Sequence, residues 1–342
     1  MIKNFSKIFA LILTLIFSAN YYAQCTGCTV TNPVSSGNYT FPANSTVCFT
    51  TNTTLGDVTF GNNSKICVAP GVTVTIQNNV TTTTGDNITF EIGGTLHFNQ
   101  TTNIDANLTI NIQSNGLLKA VSTVNDHFSF KGFNNTLNNF GTMQVNALIF
   151  QDVDATNIVD NYGTLTIGSN INIEGNTTFR NWQTINIVQS YNNNATSTYI
   201  NCGTINSSNG FDLGGGRVIN TGNFNVSTGG TTGSLDLPTG SRFENYGILD
   251  SRGATNNNDT TSIIYNEGLV KFNTYQGNGW LQGPSSSSKK GYFEVANILA
   301  NNTANVGPNL DFKKTGGVSS LVFSATPTYV TSTGTTTTQA GA

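Results

Sequence analysis

Through the middle of this chain, Asn-x-Gly followed by alternating polar and apolar residues returns at nearly even intervals. It is clearest in "NFGTMQV" (139–145), "NYGTLTI" (161–167), "NCGTINS" (201–207), "NTGNFNV" (220–226), "NYGILDS" (245–251) and "NEGLVKF" (266–272). Variants stand at "GGTLHF" (93–98), "NGLLKA" (115–120) and "NWQTINI" (181–187). The Gly-equivalent positions, 94, 116, 141, 163, 183, 203, 222, 247 and 268, step by 19 to 25 residues. A period of about 22 residues marks a solenoid, whose repeats bury their apolar faces only by stacking on one another.

The columns of the repeat identify the kind of solenoid. Two residues after the Gly position stand Leu96, Leu118, Met143, Leu165, Ile185, Ile205, Phe224, Leu249 and Val270, all apolar. Three after it stand His97, Lys119, Gln144, Thr166, Asn186, Asn206, Asn225, Asp250 and Lys271, all polar. The next column is apolar again except at Ser207 and Ser251. Period-two alternation is a strand with one face in and one face out, and no 3.6-residue period is visible. The expected fold is all-β: a right-handed single-stranded parallel β-helix of about ten coils.

Within such a coil, Gly supplies a corner with positive φ, and Asn can bond the next coil's Asn to build an amide ladder. The residue between them is often aromatic (Phe140, Tyr162, Trp182, Tyr246), either covering the corner or offering a ligand-stacking stripe. "TLGDVTFGNNSKICVAPGVTVTIQNNV" (54–80) continues the alternation in a different register. The expected division is a signal peptide at 1–23, a cap at 24–50, the β-helix at 51–315 and a Ser/Thr/Gly-rich tail or linker at 316–342.

The first 23 residues carry Lys3 and Lys7, an apolar run from Ile8 to Phe17, and small residues before Ala23. The run is too short for a membrane span and reads as a secretory signal. Without Lys3 and Lys7, the 14 basic residues fall to 12 against 17 acidic ones, a net charge near −5. Charged residues are 9% of the chain, against roughly 25% in ordinary domains, and no basic run points to nucleic acid or anionic lipid. Cys25, Cys28, Cys48 and Cys67 cluster near the start of a chain bound for an oxidising compartment, which predicts two disulfides in any of three connectivities. Their spacing does not suit zinc, and Cys202 is left over as a buried small apolar filler at the corner.

"KICVAPGVTVTI", the serial Asn-x-Gly-Thr-Leu/Ile entries and the Asn/Thr-rich, charge-poor composition resemble the β-helix regions of large secreted surface proteins of flavobacteria and relatives. That resemblance implies type IX secretion cargo, adhesin-like, at the surface of a Gram-negative bacterium or released from it, with a glycan or other cell-surface polymer as partner. Asp259-Thr260-Thr261 is similar to an O-glycosylation acceptor of that lineage.

Three function classes remain open. An adhesin-like or structural module would use the outer face of the strands after the corner: Thr142, Gln144, Thr164, Thr166, Thr184, Asn186, Thr204 and Asn206. The same threonines suit an ice-binding solenoid. A polysaccharide lyase or glycoside hydrolase of the pectin-lyase-like class needs paired carboxylates or a base with Ca²⁺ or Arg. "FQDVDATNIVDN" offers Asp152 and Asp154 with Asp160 near, and Glu174 on the next coil. Arg180, Arg217, Arg242 and Arg252 fall out of alignment in the repeat frame. No cofactor or metal motif is present, so a non-enzymatic module is the expectation.

Overall fold

Alternating side chains on parallel strands close a dry interior only if successive strands stack, and the described residues from Val30 to Val306 do this. The computed structural model describes residues 25–121, 127–192, 196–298 and 305–315, plus the backbone of two short strands, Thr328–Val330 and Thr336–Thr338. The expected signal peptide and most of the expected tail lie outside the described residues. Among the described residues there is no helix, and so none long and apolar enough to cross a membrane. The fold is a parallel β-solenoid. Its first sheet has fourteen parallel strands, from Val30–Thr31 to Asn305–Val306. Thirteen steps over the 276 residues from Val30 to Val306 make about 21 residues per turn. About thirteen turns exceed the ten expected because the windings nearest the ends lack the Asn-x-Gly mark.

The remaining strands form a second sheet built of two ladders. An entry ladder follows the Asn-x-Gly corner (Thr142↔Thr164↔Thr184↔Thr204), and a return ladder follows it after a register shift such as that between Ile167 and Asn170. The first winding, pairing Val30 with Val47, falls inside the segment expected to be a cap. Two disulfides, Cys25–Cys67 and Cys28–Cys48, clamp the chain's start over the outer side of the first sheet. They can do so because Cys48 and Cys67 are register partners on adjacent coils. The sulfurs of Cys25, Cys48 and Cys67 lie within 4.8 Å of one another, as two neighbouring disulfides require.

All nine residues of the apolar column from Leu96 to Val270 are buried, and all nine of the polar column beside it face outward, partly exposed. Each buried aliphatic side chain contributes roughly 1.5–3 kcal/mol before entropy costs. Ser207 and Ser251, the two breaks in the next column, are also buried and are satisfied locally. Ser207 donates to the Gly210 carbonyl at 2.7 Å, and Ser251 accepts from Thr255 at 2.8 Å. Aromatic rings stack along the interior, as with Phe41–Phe60 at 4.3 Å and Phe179–Tyr199 at 4.7 Å.

The expected amide ladder runs inside the corner through Asn139, Asn161, Asn181, Asn201, Asn220, Asn245 and Asn266. Each Nδ2 donates to the next Oδ1 at 2.7–2.9 Å, and every rung is buried. Each amide also donates to a carbonyl just past the next corner, for example Asn201 to Asn223 at 2.9 Å. The ladder begins above Ile112, which aligns with Asn139, so the Oδ1 of Asn139 has no donor.

The reason for the corner glycines differs from the expectation. None of Gly141, Gly163, Gly203, Gly222, Gly247 and Gly268 has positive φ. What excludes a side chain is stacking: a Cβ on Gly222 would lie 2.1 Å from the Gly203 carbonyl oxygen, and one on Gly268 would lie 2.1 Å from that of Gly247. Gln183 takes this place in one coil, and there the inter-coil bond from Thr184 N to Gly163 O stretches to 3.2 Å, against 2.9 Å for Thr164 to Gly141.

Candidate functional site

The outer face of the entry ladder is the most regular surface of the solenoid. Thr142, Thr164, Thr184 and Thr204 are register partners on four successive coils, and Gln144, Thr166, Asn186 and Asn206 form the column beside them. Asn223 and Asn225 add a fifth coil. All ten side chains are at least partly exposed and none is charged. Register partners stand about 4.8 Å apart, and residues two apart on one strand about 6.8 Å. Part of the amide column is bonded within itself, Asn206 to Asn186 at 2.9 Å and Asn225 to Asn206 at 2.8 Å, an outer amide ladder. Beyond Asn223 the threonine column gives way to Ile248, Leu269 and Tyr292, and the amide column to Asp250, Lys271 and Glu294. On the other side it reaches Lys119 and His97. Burial, then the charge of Lys119, holds the His97 imidazole below its usual pKa.

Asp152, Glu174 and Asp160 of the candidate acids each accept a hydrogen bond. Asp152 accepts from the Asp154 backbone N–H at 2.9 Å, closing a turn, and Asp154 is exposed. Glu174 accepts from Asn172 at 3.3 Å. Asp160 is taken by Arg180 on the next coil, in a two-point pair with Nη2–Oδ2 at 2.7 Å. Asp259 likewise closes a turn, accepting from the Thr261 N–H at 2.7 Å.

Three of the corner aromatics stack on one another outside the coil, while Tyr246 meets Tyr265 at 5.8 Å and 55°. Phe140 and Tyr162 lie 4.7 Å apart at 4°, and Tyr162 and Trp182 4.3 Å apart at 5°. Their facing surfaces are occupied by each other, so the stack presents edges to solvent. Cys202, next along this line, is exposed, so the expectation of a buried filler is corrected: the residue between Asn and Gly points out of the corner.

Two arrangements escaped the sequence reading. Arg217 and Arg242, expected to be out of alignment, are direct register partners and share Glu244. They stand at the same offset before Gly222 and Gly247, which was the available signal. Asp212 and Asp236 also pair on adjacent coils of the return ladder. Burial raises the Asp212 pKa, the Gly214 N–H opposes that, and the charge of Asp236 raises it further.

The fold and these faces define a β-solenoid with an uncharged, hydroxyl- and amide-bearing face along five coils. Compared with protein-family models, curated proteins and solved structures, the chain has no match.

Proposed function

We propose that the chain is a secreted, adhesin-like rod of a Gram-negative bacterial surface that binds an extended neutral polymer, a glycan foremost, without cleaving it. One observation carries this reading: the in-register array from Thr142 to Asn225 on five successive coils. Hydroxyls and amides repeating every ~4.8 Å offer hydrogen bonds to a polymer whose own hydroxyls repeat. Many weak contacts along a rigid face then add as avidity. The two disulfides support an oxidising, extracellular setting. The winding is taken as right-handed, as parallel crossovers nearly always are, and export by the type IX route follows the sequence resemblance.

The register of the four threonines favours ice binding as a second reading, and one experiment separates the classes. Purified protein is assayed for retention on insoluble and soluble glycans, for thermal hysteresis, and for new reducing ends. Retention lost in Thr164→Arg/Thr184→Arg, with no new reducing ends, supports the proposal. Hysteresis lost in the same variant selects ice, and depolymerisation lost in Asp152→Asn selects the lyase or hydrolase class.

A further inference from the structure

We infer that the outer side of the first sheet carries a second binding site, formed by Arg217, Arg242 and Trp280 and specific for an acidic polysaccharide bearing carboxylate or sulfate groups. Arg217, Arg242, Ile263 and Trp280 occupy one outward column on four successive coils. Three steps of ~4.8 Å place the indole roughly 14 Å from the first arginine, a span of a few sugar units.

The charge balance of the column is uneven. Arg217 and Arg242 both bond the same oxygen of Glu244, Arg217 through Nε at 3.0 Å and Nη2 at 2.7 Å, and Arg242 through Nε at 2.5 Å. The chain's other two arginines each have a carboxylate of their own, Arg180 with Asp160 and Arg252 with Asp250. Glu244 is 5% exposed, and its second oxygen accepts from the Tyr246 hydroxyl at 3.3 Å. Burial pushes its pKa up, but the hydrogen bonds and charges of the two arginines outweigh that and hold it below the usual range. One buried anion therefore orients two cations. Their side chains remain 48% and 39% exposed, and five N–H donors on each leave a surplus pointing outward.

A planar guanidinium fork matches a carboxylate or sulfate at two points. Trp280, 37% exposed on the same column, offers an apolar ring to the carbon face of a sugar. Because the mature chain is net negative, recognition here is short-range and falls with added salt.

The inference rests on the chain being a polymer-binding rod, but not on the threonine face. The test is equilibrium binding of alginate, a sulfated dextran, neutral dextran and duplex DNA to the whole chain. The expected result is binding of alginate or sulfated dextran but not neutral dextran. Affinity should fall about tenfold or more in Arg217→Gln and Arg242→Gln, one charge-assisted pair being of that order, and several-fold in Trp280→Ala. Trp280→Ala leaves Glu244 fully paired, so it guards against a folding artefact in the arginine variants. Arg217→Lys keeps the charge and loses the fork, so it should recover only part of the affinity. Acidic-polymer binding without neutral-glycan retention would sink the threonine-face reading and leave this site standing, so the two failures are read separately. No binding of either acidic polymer, equal binding by folded arginine and Trp280 variants, or preference for DNA would overturn the site.

Discussion

Replacing Asn201 with Asp places a carboxylate in the middle of the buried amide ladder, and the structure says what each oxygen meets. One oxygen keeps the bond from Asn181 Nδ2, now 2.7 Å long. The other faces the Oδ1 of Asn220 and the carbonyl of Asn223, which the native amide reaches at 2.7 and 2.9 Å. An ionised carboxylate donates to neither. The buried Asn220 Oδ1 and the part-buried Asn223 carbonyl each lose a donor, at about 1–3 kcal/mol each, so the loss is about 2–6 kcal/mol at neutral pH. Protonation restores one donor, so the folded-state pKa of the new carboxyl lies above its unfolded value of about 3.9. The penalty is then full above the folded pKa and shrinks as pH falls through it towards the unfolded value. Asn201→Leu should lose about 2–4 kcal/mol at every pH. Asn206→Asp, in the partly exposed outer ladder, should change little. A solenoid can open coil by coil, so urea unfolding should be paired with hydrogen exchange at coils flanking Asn201. An Asn201→Asp penalty unchanged between pH 8 and pH 4, or equal to that of Asn206→Asp, would refute the reasoning.

Leu165 is buried and Thr166 faces out, so Leu165→Asp should cost more than about 4 kcal/mol and Thr166→Asp within about 0.5; thermal melts of the pair check the assigned faces. Asp212→Asn removes a like charge opposite Asp236. Because the Asp212 pKa is raised in the fold, wild type is destabilised above that pKa, and the cost fades as pH falls below it. The variant's advantage in urea midpoint should therefore be present at pH 7 and vanish towards pH 4. Cys25–Cys67 and Cys28–Cys48 close loops with separations of 42 and 20 residues. Removing both pairs should lose about 2–4 kcal/mol each from the first windings, read as faster exchange over Val30–Phe49 with the Asn139–Asn266 coils unchanged.

The winding was legible because it is written in a period. Nine apolar residues beside nine polar ones admit a stacked strand and little else, and the Asn ladder follows from Asn recurring at one place in each coil. Corner chemistry was legible only in part. Gly222 and Gly268 marked a turn correctly, but a carbonyl of the coil beneath forbids a side chain there, and a contact between residues some twenty apart leaves no local trace. The same limit hid the pairing of Arg217 with Arg242, which only the register of stacked coils brings onto one carboxylate. Nor could the sequence show that Asp152 accepts a turn bond from the Asp154 N–H and Glu174 a hydrogen bond from Asn172. Local alternation and spacing, properties of the chain itself, determined that this protein coils and which residues face in. Which outward residues become neighbours was decided by the tertiary structure alone, because coil lengths vary and only the closed backbone ladders set which column each residue joins.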